Sequence, residues 1–201
     1  MNRIRKSSVV LFALLVAIPL FAQQPARQPE SQLLSLDTVL TFRPQSLGQV
    51  QWLADGSGYL TVEPTAKGGA SIMRSDAATG AKSVLVPAEK LVPAGASSPL
   101  AVEEFTLSAD EQRMLIFTKT ERVWRSNTRG DYWVFDLKSA KLQKLGGDAK
   151  PSTLMFAKFS PDGMRVGYVR ENNIYVESLD ANAGSRITQL TTDGAQYTVN
   201  G

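Results

Sequence analysis

The 201-residue chain contains no cysteine and no histidine. Without cysteine there are no disulfides, no thiolate metal sites and no lipid-bearing cysteine at an export cleavage point. Without histidine neither a Ser-His-Asp nor a Cys-His catalytic group can be assembled from these residues, and the commonest zinc ligand is missing. A G-x-S-x-G elbow, a phosphate-binding G-x-x-x-x-G-K-[ST] loop and a G-x-G-x-x-G turn are absent as well. No catalytic residue, metal ligand or cofactor site is therefore expected, and the chain alone is expected to be inactive as a hydrolase.

A long apolar run occurs only at the start. Arg3, Arg5 and Lys6 precede Val9 to Phe21, interrupted by Pro19, and Ala22 offers a small residue before Gln23-Gln24-Pro25. That is the charge, apolar core and small-residue exit of a secretory signal peptide over 1–22. It is short for a membrane span, which needs about 20 apolar residues, although an uncleaved anchor and an N-terminal core helix stay open. Removing 1–22 takes away three cations and no acids, leaving 19 basic against 19 acidic residues from the original 22 and 19. A neutral remainder gives no reason to expect nucleic acid as a partner. The expectation is a periplasmic or secreted protein with no membrane contact after cleavage.

Residues 23–34 are rich in Gln, Pro and Arg and read as a disordered linker. Ser35 is placed to cap a short helix over Leu36 to Leu40, with Asp37 near its positive end. From there the sequence repeats itself. Trp52-Leu53-Ala54-Asp55-Gly56, Leu107-Ser108-Ala109-Asp110-Glu111 and Phe159-Ser160-Pro161-Asp162-Gly163 each precede a strand pattern, their aspartates 55 and 52 residues apart. This period suits a four-stranded propeller blade. In the third copy Val166, Tyr168 and Arg170 alternate on one strand, Glu171-Asn172-Asn173 reverses the chain, Ile174 and Val176 begin another, and Arg186 to Leu190 supplies a fourth. The second copy places strands at Met114 to Thr118, Tyr132 to Leu137 and Lys141 to Leu145; the first at Tyr59 to Val62, Ser71 to Arg74 and Ser83 to Val86. The expected class is all-β, an incomplete propeller of about three four-stranded antiparallel blades over 35–201, with a β-sandwich as rival. Three blades do not close a ring, so a longer parent protein or association of copies is expected.

Single residues invite sharper readings. Asp55, Asp110 and Asp162 lack the clustered spacing of a calcium loop and read as turn stabilisers. Glu103-Glu104 reads as a solvated edge with a local bend, since neighbours on a strand point to opposite faces. In the second copy the connection between the Met114 and Tyr132 strands is long, carries Glu121 to Tyr132, and is expected to project from the blade. Within it Arg125, beside Trp124, is either a solvated loop cation or a fork of donors for a carbonyl or carboxylate.

Val123-Trp124-Arg125-Ser126, Gly130-Asp131-Tyr132-Trp133-Val134-Phe135-Asp136-Leu137, Met155 through Gly163, Tyr168 through Val176, and Ile187-Thr188-Gln189-Leu190-Thr191 onward to Asn200-Gly201 resemble, in order, the N-terminal propeller of dipeptidyl peptidase IV and its bacterial relatives in the prolyl oligopeptidase family. The resemblance implies an exported serine exopeptidase that removes N-terminal X-Pro or X-Ala dipeptides, with an eight-bladed propeller over an α/β-hydrolase domain that carries the triad. It implies that Arg125, by motif position, hydrogen-bonds a carbonyl of the peptide substrate. The family's D-W-x-Y-E-E pair, which holds the substrate's free amine, is expected just beyond Gly201. This region would then gate and position substrate, and a homodimer of the full-length form stays open. A non-enzymatic periplasmic propeller that binds a protein or ligand is the alternative.

Overall fold

The computed structural model describes residues 34–43, 48–66, 68–123, 125–180 and 186–201. The signal peptide expected over 1–22 and the linker expected over 23–34, Leu34 excepted, lie outside the described residues. The chain divides into two units, Met1–Gln45 and Ser46–Gly201. The first holds helix α1 (Leu36–Thr41), whose first turn is capped as expected: the Ser35 hydroxyl accepts the Thr38 N–H at 3.0 Å.

The second unit is built from strands in chain order. β1 (Val50–Trp52), β2 (Gly58–Pro64), β3 (Ala70–Asp76) and β4 (Lys82–Val86) form one antiparallel meander. A second comprises β5 (Glu104–Leu107), β6 (Arg113–Val123), β7 (Ser126–Asp136) and β8 (Lys141–Lys144), and a third β9 (Leu154–Phe159), β10 (Arg165–Arg170), β11 (Asn173–Ser178) and β12 (Ile187–Gln189). All pairings are antiparallel. The segment from Pro87 to Pro99, rich in Pro, Gly, Ala and Ser, holds only a short 3₁₀ turn at Ala88–Leu91.

The repeated aspartates make the same turn three times. Asp55, Asp110 and Asp162 each accept the backbone N–H two residues on, from Ser57, Gln112 and Met164, at 2.8, 3.1 and 2.9 Å. In the second and third copies a serine completes the turn: Ser108 and Ser160 donate their hydroxyls to the aspartate and accept the N–H of Arg113 and Arg165 at 3.0 Å. The residue after each aspartate has positive φ, 70° at Gly56 and 67° at Gly163, and at the second copy Glu111 holds the same conformation at 54°. Glutamate is costly there, and the offsetting contact is specific. Its Oε1 accepts the Ala54 N–H at 2.7 Å, tying the first turn to the second. Arg113 Nη1 donates to the Gly163 carbonyl at 3.1 Å and ties the second to the third. A second aspartate turn closes β3–β4 and β7–β8, where Asp76 and Asp136 accept the N–H of Thr79 and Ser139 at 2.8 Å.

These contacts favour the ionised carboxylates and hold all five below the ordinary value of 3.8. The leading cause is the backbone N–H of Ser57 at Asp55 and of Ser139 at Asp136, and the hydroxyls of Thr79, Ser108 and Ser160 at Asp76, Asp110 and Asp162. With folded values below unfolded ones, the stabilisation is complete above the unfolded value and is lost as pH falls through the folded values. The urea midpoint is therefore expected to be level between about pH 5 and 7 and to fall below about pH 4. Asp→Asn at Asp110 and Asp162 should flatten that fall, which equilibrium unfolding at a series of pH values would register.

Strand alternation places the second meander between two cores. One face of it presents Phe105, Leu107, Met114, Ile116 and Phe135 to Leu60, Ile72 and Val86 of the first meander. The other presents Leu115, Phe117, Tyr132 and Val134 to Leu154, Val166 and Tyr168 of the third. A central sheet buried on both faces explains the unbroken apolar run from Met114 to Phe117. The second and third meanders also share main-chain pairing, Arg129 with Met155 and Gly130 with Leu154, so that eight strands form one sheet. Separate sheets were expected. They merge because β7 begins six residues before the expected Tyr132 and because residue 130 is glycine: a Cβ there would stand 2.4 Å from the Phe117 ring and 2.8 Å from the Thr118 carbonyl.

Candidate functional site

The long connection of the second copy is an extended β-hairpin, as expected. β6 and β7 stay paired past the body of the sheet through Glu121–Arg129, Arg122–Asn127 and Val123–Ser126, and Arg125 lies in the turn at the tip, exposed. From Thr118 to Val123 the strand runs about 16 Å at about 3.3 Å per residue. Among the described residues no hydrogen bond or ion pair holds the Arg125 side chain, so its five donors face solvent. Trp124, expected to flank it, lies outside the described residues.

What fixes the hairpin is its root. The register shifts twice between Thr118 and Arg122, with Lys119 at φ 47°. Glu103, in the bend before β5, accepts the Thr120 hydroxyl and, at 3.3 Å, the Thr120 N–H. Asn127 on the returning strand donates to Thr120 Oγ1 at 2.7 Å and to Glu103 at 3.5 Å. On the other side Ser152 donates its hydroxyl to the Lys119 carbonyl at 2.6 Å and its N–H to Asp131 at 3.0 Å. Asp131, nearly inaccessible, is neutralised by Lys144 at 3.4 Å. A buried carboxylate so partnered is costly to disturb. The bend at Glu103 matches the expectation from Glu103-Glu104; the bracing role was not legible, because Thr120 and Asn127 lie 17 and 24 residues away.

Beside this root a cleft of about 680 Å³ opens between β5 and β9. Its lining includes Glu104, Thr106, Asn127, Tyr132, Phe156 and Lys158. Asn127 and Thr128 of the hairpin contribute; Arg125 is not among the lining residues. Phe117 and Tyr132 stack on its floor, ring centroids 4.5 Å apart. Burial pushes the Tyr132 phenol up to about 12, partly offset by the N–H groups of Ala157 and Phe156 near its oxygen. The outer edge of β5 is already occupied. Gln49 accepts the Phe105 N–H at 2.8 Å and donates to the Phe105 carbonyl at 2.6 Å, and Gln51 accepts the Leu107 N–H at 3.2 Å, so two carboxamides stand in for a neighbouring strand.

Consecutive four-strand meanders stacked face to face, each opened by an aspartate turn, define an all-β protein of propeller type. Residues 108–201 match the family described as the dipeptidyl peptidase IV (DPP IV) N-terminal region. Dipeptidyl aminopeptidase B of Saccharomyces cerevisiae is 30% identical over 164 residues, covering 80% of this chain and 19% of that protein. The probable dipeptidyl-aminopeptidase B of Talaromyces stipitatus is 30% identical over 144 residues, covering 72% and 15%. The crystal structure of Porphyromonas gingivalis dipeptidyl peptidase 4 superimposes with a TM-score of 0.63 at 24% identity, covering 79% of this chain and 21% of that one, a likeness of fold. The chain contains an N-terminal region of the dipeptidyl peptidase IV kind. It spans about a fifth of the length of the yeast relative.

Proposed function

We propose that this region positions peptide substrates within an exported dipeptidyl peptidase IV-like serine exopeptidase that removes N-terminal X-Pro or X-Ala dipeptides. The triad in this reading belongs to an α/β-hydrolase domain, consistent with a chain that has no histidine. The observation that carries the reading is Arg125. Its guanidinium stands at the tip of a hairpin whose root is braced from both sides, with no partner of its own among the described residues. A planar fork of donors carried on a braced backbone suits a peptide carbonyl.

The test is chromogenic. A form extended through a hydrolase domain is expected to release p-nitroaniline from Gly-Pro-p-nitroanilide, whereas the 201-residue chain alone should not exceed buffer. No release by the extended form, or turnover by the short chain, contradicts the reading.

A further inference from the structure

Phe156 is the one bulky aromatic among the described non-glycine residues with positive φ, at 55°, and its side chain remains 51% exposed. A left-handed backbone is costly for such a residue, and an exposed ring recovers little of that cost by burial. The ring lines the β5–β9 cleft together with the stacked Phe117 and Tyr132 and with Pro161.

The main chain next to it is equally telling. β9 pairs with β7 only at Leu154 and Met155, while Lys158 and Phe159 pair with β10 alone. A register shift falls between those two stretches, at Phe156 and Ala157. Beyond Met155, therefore, the cleft-side edge of β9 has no strand beside it among the described residues. The outer edge of β5 is closed by Gln49 and Gln51. The N–H groups of Phe156 and Ala157 are taken up by the Tyr132 hydroxyl, and Ser160 gives its N–H to Arg165 on β10, so the main chain left open on this wall is that of Phe159; the lining adds aromatic faces and one charge of each sign, Glu104 and Lys158. Strand addition uses this combination: main-chain hydrogen bonds along an open edge for affinity, and a pocket for alternate side chains.

We propose that this cleft binds an extended peptide, whose main chain pairs with the open edge of β9 and whose apolar side chain lies against Phe156 and the Phe117–Tyr132 stack. The ligand class rests on the dipeptidyl peptidase reading; the site itself does not use Arg125. On this account the Phe156 backbone strain is retained for binding.

The experiment uses the 201-residue chain, ¹⁵N-labelled, and N-acetyl-Ala-Pro-Phe-Ala-amide. Blocked at both ends, this probe offers no free amine. Saturable amide shifts are expected at Thr106 and Ala157 and, largest, at Phe159, whose N–H faces the open edge. Phe156→Gly should weaken binding at least about tenfold while leaving Tm equal to or above the parent's, since glycine accepts the left-handed backbone. Phe156→Asn, which also tolerates that conformation, should behave alike. Amides that do not move, either variant binding within twofold of the parent, or a fall in Tm for both variants would each overturn the proposal. A negative titration leaves the Gly-Pro hydrolysis experiment untouched, and failed hydrolysis leaves this titration untouched.

Discussion

Replacing Arg125 by alanine in a catalytically complete form is expected to lower kcat/KM for Gly-Pro-p-nitroanilide about ten- to a hundredfold, because a hydrogen bond to a charged donor is worth about 1.5–3 kcal/mol. The loss should not arise through the fold. Arg125 is exposed at a hairpin tip, and no described residue pairs with it, so Tm should stay within about a degree. Arg125→Lys should fall between parent and alanine, since an ammonium keeps the charge but not the planar fork. Unchanged kinetics for the alanine variant would remove Arg125 from the site.

The second large effect concerns the stack. Tyr168 is almost completely buried in the core between the second and third meanders. It lies parallel to Tyr175 at 5.9 Å, and its hydroxyl reaches the buried Glu177 at 3.4 Å. Burial, with the Glu177 charge second, pushes its pKa well above the ordinary tyrosine value. Tyr168→Ala is expected to cost about 3–5 kcal/mol, as other large-aromatic-to-alanine changes in cores do, and to lower Tm by about 10 °C or more. Tyr168→Phe should cost only about 1 kcal/mol. It preserves the packing, and Glu177 keeps the Gly146 N–H at 2.9 Å and Arg186 at 3.5 Å. Equal losses for the two variants in thermal unfolding would mean that the hydroxyl, not the ring, holds these meanders together.

Much of the fold was legible because it is written locally. Asp55, Asp110 and Asp162 set turns through contacts two residues away, and the alternation of Val166, Tyr168 and Arg170 lies within one strand. The Ser35 cap works over three residues. What escaped was non-local. Lys119 to Arg122 is polar and falls outside the expected strand, yet it continues the ladder because the hairpin has both strands in register and a brace at its root. The β7–β9 pairing depends on Gly130 admitting the Phe117 ring, and the Gln49 clasp reaches 56 residues along the chain; neither leaves a periodic trace. The equivalence of Glu111 with Gly56 and Gly163 was visible as a repeat position, but its positive φ follows from the contact to Ala54. Arg125 had two readings from the residues alone, and only the family resemblance chose between them.

The most direct measurement compares Gly-Pro-p-nitroanilide with its N-acetylated counterpart as substrates of a catalytically complete form. The account predicts rapid release from the free-amine substrate and loss of at least about a hundredfold in kcat/KM on acetylation, because an unpaired amine site is costly to bury. Equal rates on the two substrates, or no release from either, would contradict it.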